Sequence, residues 1–179
     1  MIELAEAALG ADCHIIGQTA WRSRPGFIGG ELHVDHLVMD LPERLLADLT
    51  FELPIQVCTA HLYLSDIDAD LCPTLVIPGS HRAGRKPRPG ETAWHDRAAQ
   101  PVLCKAGDVL MFRSDLWHAG SRNRTVDRTR YLLQVHYGRR MVAQKFSPYI
   151  AWQFNPEVLA AATRRQRRLL GEHEPAEYD

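Results

Sequence analysis

The sequence predicts a mainly β fold with helices at its two ends, and three observations carry that prediction. Short runs rich in β-branched and aromatic residues recur along the chain, turn-forming clusters of Gly, Pro and Asp separate them, and only two stretches have helical character. A double-sheet jelly roll arranges its strands in this way, protecting their edges and leaving a polar mouth for a ligand.

The elements follow in order. Residues 2–9 are good helix formers, and Gly10 is a natural stop after them. His14 to Arg24 alternates as a strand running into the Pro25-Gly26 turn. Glu31 to Val38 reads as a strand, and Pro42 to Leu49 as a short helical turn or an irregular excursion. Ile55 to Leu64 is the densest β run in the chain. Asp66 to Asp70 is a solvated acidic turn, lacking the Gly and terminal Glu of an EF-hand calcium loop. Thr74 to Ile77 is a strand ended by Pro78-Gly79-Ser80-His81, and the loop over residues 82–91 is expected to move over the site. Pro101 to Lys105, Val109 to Arg113 and Arg130 to Tyr137 complete the strands, with Gly107-Asp108 turning between the first two. Asn155-Pro156 is an N-cap followed by proline at the first helical position, opening one helix to about Leu170.

A chain of 179 residues is expected to form one domain over 1–179 with a core of its own. The net charge of −1 gives no global field for nucleic acid or an anionic membrane surface. The local run Arg164-Arg165-Gln166-Arg167-Arg168 reads as a solvated helix face. No apolar run approaches the ~18 residues of a spanning helix. Cys13, Cys58, Cys72 and Cys104 are scattered without a CxxC pair or signal peptide, so free thiols in a reducing, cytoplasmic compartment are expected.

Chemistry concentrates at His33-Val34-Asp35. In a strand, His33 and Asp35 project to one face while Val34 packs behind them. An imidazole and a carboxylate so placed are two thirds of the 2-His-1-carboxylate triad that holds Fe(II) with open positions. Counting such triplets decides nothing, because they arise readily by chance. A third ligand must come from afar. His118 follows a strand and is a place where a folded-back roll delivers a histidine, although an isolated histidine there is more often a packing residue. Arg130 could capture a carboxylate in bidentate fashion. Spacing alone does not separate it from Arg122, Arg124 and Arg128.

An ordered set of motifs joins these pieces: His33-x-Asp35, Pro78-Gly79-Ser80-His81, Gly107-Asp108-Val109-Leu110-Met111-Phe112, Trp117-His118-x-Gly120-Ser121-x-Asn123, then Arg130. From about residue 12 to the C-terminus the chain resembles the phytanoyl-CoA dioxygenase family. That resemblance implies a double-stranded β-helix (jelly-roll, cupin-like) core and a dioxygenase dependent on Fe(II) and 2-oxoglutarate. It implies His33, Asp35 and His118 as iron ligands and Arg130 as the residue that binds the distal carboxylate of 2-oxoglutarate. Thr74 is implied to line the cosubstrate pocket and His61 to lie near it, while His81 belongs to a structural turn. The reaction implied consumes O₂ and 2-oxoglutarate, releases succinate and CO₂, and hydroxylates a small-molecule substrate. Related halogenases replace the carboxylate of the triad, so the presence of Asp35 makes hydroxylation the default. Desaturation or ring closure stays open, as does the oligomeric state.

Two departures from the family pattern stand out. A shortened region precedes His33, and Leu71-Cys72 occupies a turn that more often carries Asn-Gly. Two other readings remain alongside the oxygenase. One is a truncated, non-catalytic relative that binds metal or ligand; the other is a cupin-like metal-dependent isomerase, which would need no keto-acid anchor.

Overall fold

In the computed structural model, which describes residues 1–37, 41, 45, 52–145 and 154–175, the β runs pair into antiparallel sheets. The major sheet has the order β1-β9-β2-β7, formed by His14–Ser23 (β1), Arg130–Gly138 (β9), Val57–Tyr63 (β2) and Val109–Arg113 (β7). The minor sheet has the order β6-β3-β8, formed by Gln100–Val102 (β6), Thr74–Val76 (β3) and His118–Gly120 (β8). The jelly-roll expectation is met.

Alternation in β2 and β9 decides which side chains meet between the sheets. Arg130, Leu132, Gln134 and His136 are buried, whereas Tyr131 and Leu133 between them are exposed. Nearly all of β2 is buried, because one of its faces looks into the space between the sheets and the other packs against the N-terminal helix. The register sets His61 opposite Gln134 and Thr59 opposite His136. Neighbours across a pair share a face, so these four polar side chains turn inward together.

The other face of the major sheet is closed by helix α1 (Ile2–Leu9). Ala5 and Leu9 pack with Cys13, Cys58, Ala60, Tyr137 and Leu169, and Gly10, at φ 110°, ends the helix. All four cysteines are free thiols. At the C-terminal end, one long helix was expected, but two form: α2 (Pro156–Ala161) and α3 (Arg164–Leu169). Asn155 caps α2 as read, but Thr163 and Gln166 make a capping box that restarts the chain as α3 after an extended Ala162. The arginine run lies on α3 with each guanidinium ion-paired: Arg164 to Glu174, Arg167 to Glu172, and both Arg165 and Arg168 to Glu6 of α1.

Other expectations shift. Of the strand expected over Glu31 to Val38, the described residues 31–37 form none: His33 makes one isolated bridge to His118. The expected turn over 42–49 lies outside the described residues, Leu45 aside. Loop 82–91 starts as a 3-10 turn (Ser80–Ala83) and is tied down by paired hydrogen bonds from Arg85 to Glu91, both at 2.8 Å. It does not cover the mouth between the sheets. Residues 87–92 instead line a second cavity with Leu75, on the face of β3 opposite Thr74. An unforeseen small hairpin, Ala93–Trp94 (β4) with Arg97–Ala98 (β5), follows that loop. In the acidic turn, Asp66 accepts from Lys105 and Ala106, and Asp68 pairs with Arg128. Among the described residues no helix is long and apolar enough to cross a membrane.

The Glu6 anchor generates a stability prediction. Hydrogen bonds from Arg165 and Arg168 lower the Glu6 carboxyl to about 2. Its contribution is complete above the unfolded value near 4.5 and is lost as the pH falls through about 2. Urea unfolding should find Glu6→Gln less stable than the parent by about 1 kcal/mol at pH 7, with the gap closing as the pH approaches 2.

Candidate metal centre and its cavity

The stretch that carries His33 and Asp35 is irregular, yet its backbone is pinned at successive points. Gly30 N–H donates to the Gly120 carbonyl at 2.9 Å, and His33 exchanges hydrogen bonds with His118 at 2.9 and 3.0 Å. Asp35 and His36 N–H groups both donate to the Ser114 carbonyl, at 3.0 and 3.2 Å. These ties bring His33 alongside β8 and turn Asp35 toward β2. Val34 packs the other way, against Ile77 and Trp117.

His33, Asp35 and His118 thereby present one ligand atom each, all within 4.8 Å of one another. His33 Nε2 lies 3.9 Å from Asp35 Oδ1, and His118 Nε2 lies 3.5 Å from Oδ2. Each imidazole uses its Nδ1–H on a carbonyl two residues back, Glu31 for His33 and Leu116 for His118, both at 2.9 Å. That fixes the ring and directs Nε2 inward, the arrangement metal-binding histidines adopt. Three electron-rich atoms turned toward one point form a favourable cluster only with a cation among them. The residues therefore fit a divalent metal.

Asp35 Oδ2 is held from behind. Thr59 Oγ1 donates to it at 2.8 Å and Gln134 Nε2 at 3.3 Å. Thr59 Oγ1 also meets Ser114 Oγ at 2.7 Å and His136 Nδ1 at 3.1 Å. Burial alone would push the Asp35 carboxyl up. The hydrogen bond and charge of His118, with the Thr59 bond and the charge of His136, outweigh it and hold the group well below the usual carboxylate range.

The cluster opens into a cavity of about 250 Å³ between the two sheets, and all six residues singled out in the sequence line it: His33, Asp35, His61, Thr74, His118 and Arg130. Arg130 is 5% exposed. Its Nη1 donates to the Cys72 carbonyl at 2.7 Å and its Nη2 to Ser23 Oγ at 3.4 Å, while Nε has no partner. A buried guanidinium in no ion pair among the described residues is a costly arrangement unless an anion joins it. Arg122, Arg124 and Arg128 do not line this cavity.

Between the two charges runs a neutral relay that the sequence reading missed. Trp21 Nε1 donates to Gln134 Oε1 at 3.0 Å, which directs the Gln134 amide nitrogen toward Asp35 and toward His61 Nε2, 3.2 Å away. His61 then carries its proton on Nδ1, facing Thr74 Oγ1 at 3.4 Å, and Tyr63 donates to the same Oγ1 at 2.8 Å. Thr74 accepts twice and keeps its own hydroxyl proton for a ligand. One signal for Gln134 was visible: polar residues at 130, 134 and 136 share a strand face.

Comparisons with known proteins agree with this architecture. The model of the family described as phytanoyl-CoA dioxygenase (PhyH) matches residues 3–131. The uncharacterized protein Rv1501 of Mycobacterium tuberculosis is 35% identical over 96 residues, which cover 54% of this chain and 33% of that protein. The matched region thus spans about a third of the curated relative's length. HygX from Streptomyces hygroscopicus, solved with nickel and 2-oxoglutarate bound, superposes with a TM-score of 0.61 at 22% identity, covering 80% of this chain and 64% of HygX. The non-heme alpha ketoglutarate dependent carbocyclase SnoK from nogalamycin biosynthesis gives 0.55 at 17% identity, covering 86% and 62%. At these identities the structural likeness shows the fold.

Burial, followed by the positive fields of His118, Arg130 and His136 and opposed only by Asp35, pushes the His61 imidazole down to about 3. NMR titration of the metal-free protein should therefore find His61 neutral from pH 8 to below pH 5. Because unfolded His61 takes a proton near its ordinary value of 6.5 that the folded one refuses, its contribution destabilises the fold progressively as pH falls below 6.5.

Proposed function

The chain belongs to the phytanoyl-CoA dioxygenase family, and on that premise we propose that it is a non-heme iron, 2-oxoglutarate-dependent dioxygenase that hydroxylates a small-molecule substrate. The observation that carries the reading is the joint presence, in one cavity, of a three-residue cluster suited to a metal and a buried arginine that has no counter-ion among the described residues.

His33, His118 and Asp35 would hold the iron, each through one ligand atom. Thr59 and Gln134 occupy Asp35 Oδ2 and so keep the carboxylate in place. Bound there, Fe(II) supplies the redox chemistry that couples oxidative decarboxylation of 2-oxoglutarate, yielding succinate and CO₂, to substrate oxidation. Arg130 takes the distal carboxylate of 2-oxoglutarate, with the spare hydroxyl proton of Thr74 as a second donor. His61 stays neutral and orients Thr74 without adding charge. The intact Asp35 carboxylate supports hydroxylation over halogenation. SnoK is named as a carbocyclase and SnoN, another structural neighbour from nogalamycin biosynthesis, as an epimerase, so the fold itself does not choose the fate of the substrate carbon.

Anaerobic titration of the apoprotein with Fe(II) and 2-oxoglutarate should produce the visible metal-to-ligand charge-transfer band. His118→Ala should abolish it at stoichiometric iron. Arg130→Ala should keep iron binding but weaken 2-oxoglutarate by about a hundred-fold, the scale of removing one partner of a buried charge pair. No band from the wild type with iron bound would overturn the oxygenase reading in favour of a non-catalytic metal-binding relative.

A further inference from the structure

Arg130 reaches the cavity through a brace of unusual geometry. Cys72, whose carbonyl accepts from Nη1 at 2.7 Å, is fully buried and has a φ of 41°. That value lies in the left-handed region, which residues other than glycine rarely adopt. Pro73 follows it, and proline favours extended conformations in the residue before it. Cys72 is held against both preferences by fixed neighbours. Leu71 N–H donates to Asp68 Oδ1 at 3.0 Å, and the Pro73 carbonyl accepts from Ser121 N and Oγ at 3.1 and 2.8 Å. The second arm of the brace is anchored too: the Ser23 carbonyl accepts from Asn123 Nδ2 at 3.1 Å. Strained backbone that its surroundings over-determine clusters where a ligand is handled.

We propose that Cys72 is a positioning residue for the cosubstrate: its left-handed backbone turns its carbonyl onto Arg130, and together with Ser23 it fixes the guanidinium so that the remaining donors meet a ligand carboxylate. The inference rests on the reading of Arg130 as the 2-oxoglutarate anchor. An unbraced arginine would lose rotamer freedom on binding, whereas this one has lost it on folding. The acting group is the main-chain carbonyl, so Cys72 can stand where the family more often has glycine.

The test uses the Fe(II)-loaded full chain without oxygen, titrated with 2-oxoglutarate and with 2-oxobutyrate, which chelates identically but lacks the distal carboxylate. Both are read by the charge-transfer band. A β-branched residue resists positive φ, so Cys72→Val should weaken 2-oxoglutarate about ten-fold, the scale of one hydrogen bond to a charged group, and leave 2-oxobutyrate unchanged. Cys72→Gly, which adopts positive φ freely, should restore the affinity. If Cys72→Val does not fold, Ser23→Ala gives the same readout, with about a three-fold loss confined to 2-oxoglutarate. Equal weakening of both keto acids, or wild-type affinity for 2-oxoglutarate in Cys72→Val, would overturn the positioning role. Failure of the underlying reading looks different: the wild type and Arg130→Ala would bind the two keto acids with the same preference.

Discussion

Asp35 and Arg130 are opposite charges on the wall of one cavity, and the fold keeps them from pairing with each other. Each is held in place locally instead, Asp35 by Thr59 and Gln134, Arg130 by Cys72 and Ser23. Direct pairing would neutralise both and leave nothing for a ligand to gain. Separation leaves an anionic cluster that favours a cation at one place and a guanidinium that favours an anion at another. A molecule with a chelating end and a carboxylate end meets both demands at once. The Trp21–Gln134–His61–Thr74 relay fills the interval with neutral groups, whose mutual hydrogen bonds settle their orientations before any ligand arrives.

That separation depends on the register of the major sheet. β9 carries Arg130 at its start and Gln134 and His136 further along, and β2 brings His61 and Thr59 opposite the latter two. A slip of one residue in either strand would move this entire set to the opposite face, where α1 packs. The register is held by the apolar cluster on that far side, in which Ala60 and Tyr137 of the two strands meet Ala5 and Leu9 of α1. Glu6, with Arg165 and Arg168, then fastens α3 to α1. The chemistry of the inner face is thus secured by packing on the outer one.

The sequence carried the local part of this and missed the non-local part. Strands were legible because alternation and β-branched density are written into contiguous residues, and His33 and Asp35 were legible through the ordered motifs that join them to His118 and Arg130, not through a strand face, since the stretch that carries them is not a strand. Thr59 and Gln134 were not, since what makes them functional is the strand each one pairs with. The expected strand fails over the described residues 31–37 for a related reason. Its residues suit a strand, but the backbone partners offered to it are an edge at Gly120 and His118 and then a single carbonyl at Ser114. The expected helix over 156–170 breaks at Thr163, whose capping box with Gln166 lies inside the run and starts a new helix. The composition of residues 82–91 marks a loop and says nothing about which face of β3 it crosses.

The irregularity at 31–37 is what makes the cluster possible. In a regular strand paired with β8, His33 and Asp35 would both lie over that strand, with Asp35 directed along the minor sheet. The chain instead leaves β8 after one bridge and rests Asp35 and His36 on Ser114, the residue that also contacts Thr59. Asp35 thereby enters the reach of a hydroxyl on β2 and an amide on β9, both in the opposite sheet. The two histidines stay together on the minor sheet, ring centroids 4.4 Å apart, each locked by its own carbonyl. Two candidate ligands are therefore aimed by one sheet and the third by the other. The point they face is defined only when the sheets are correctly opposed, so the cluster reports on the fold as a whole.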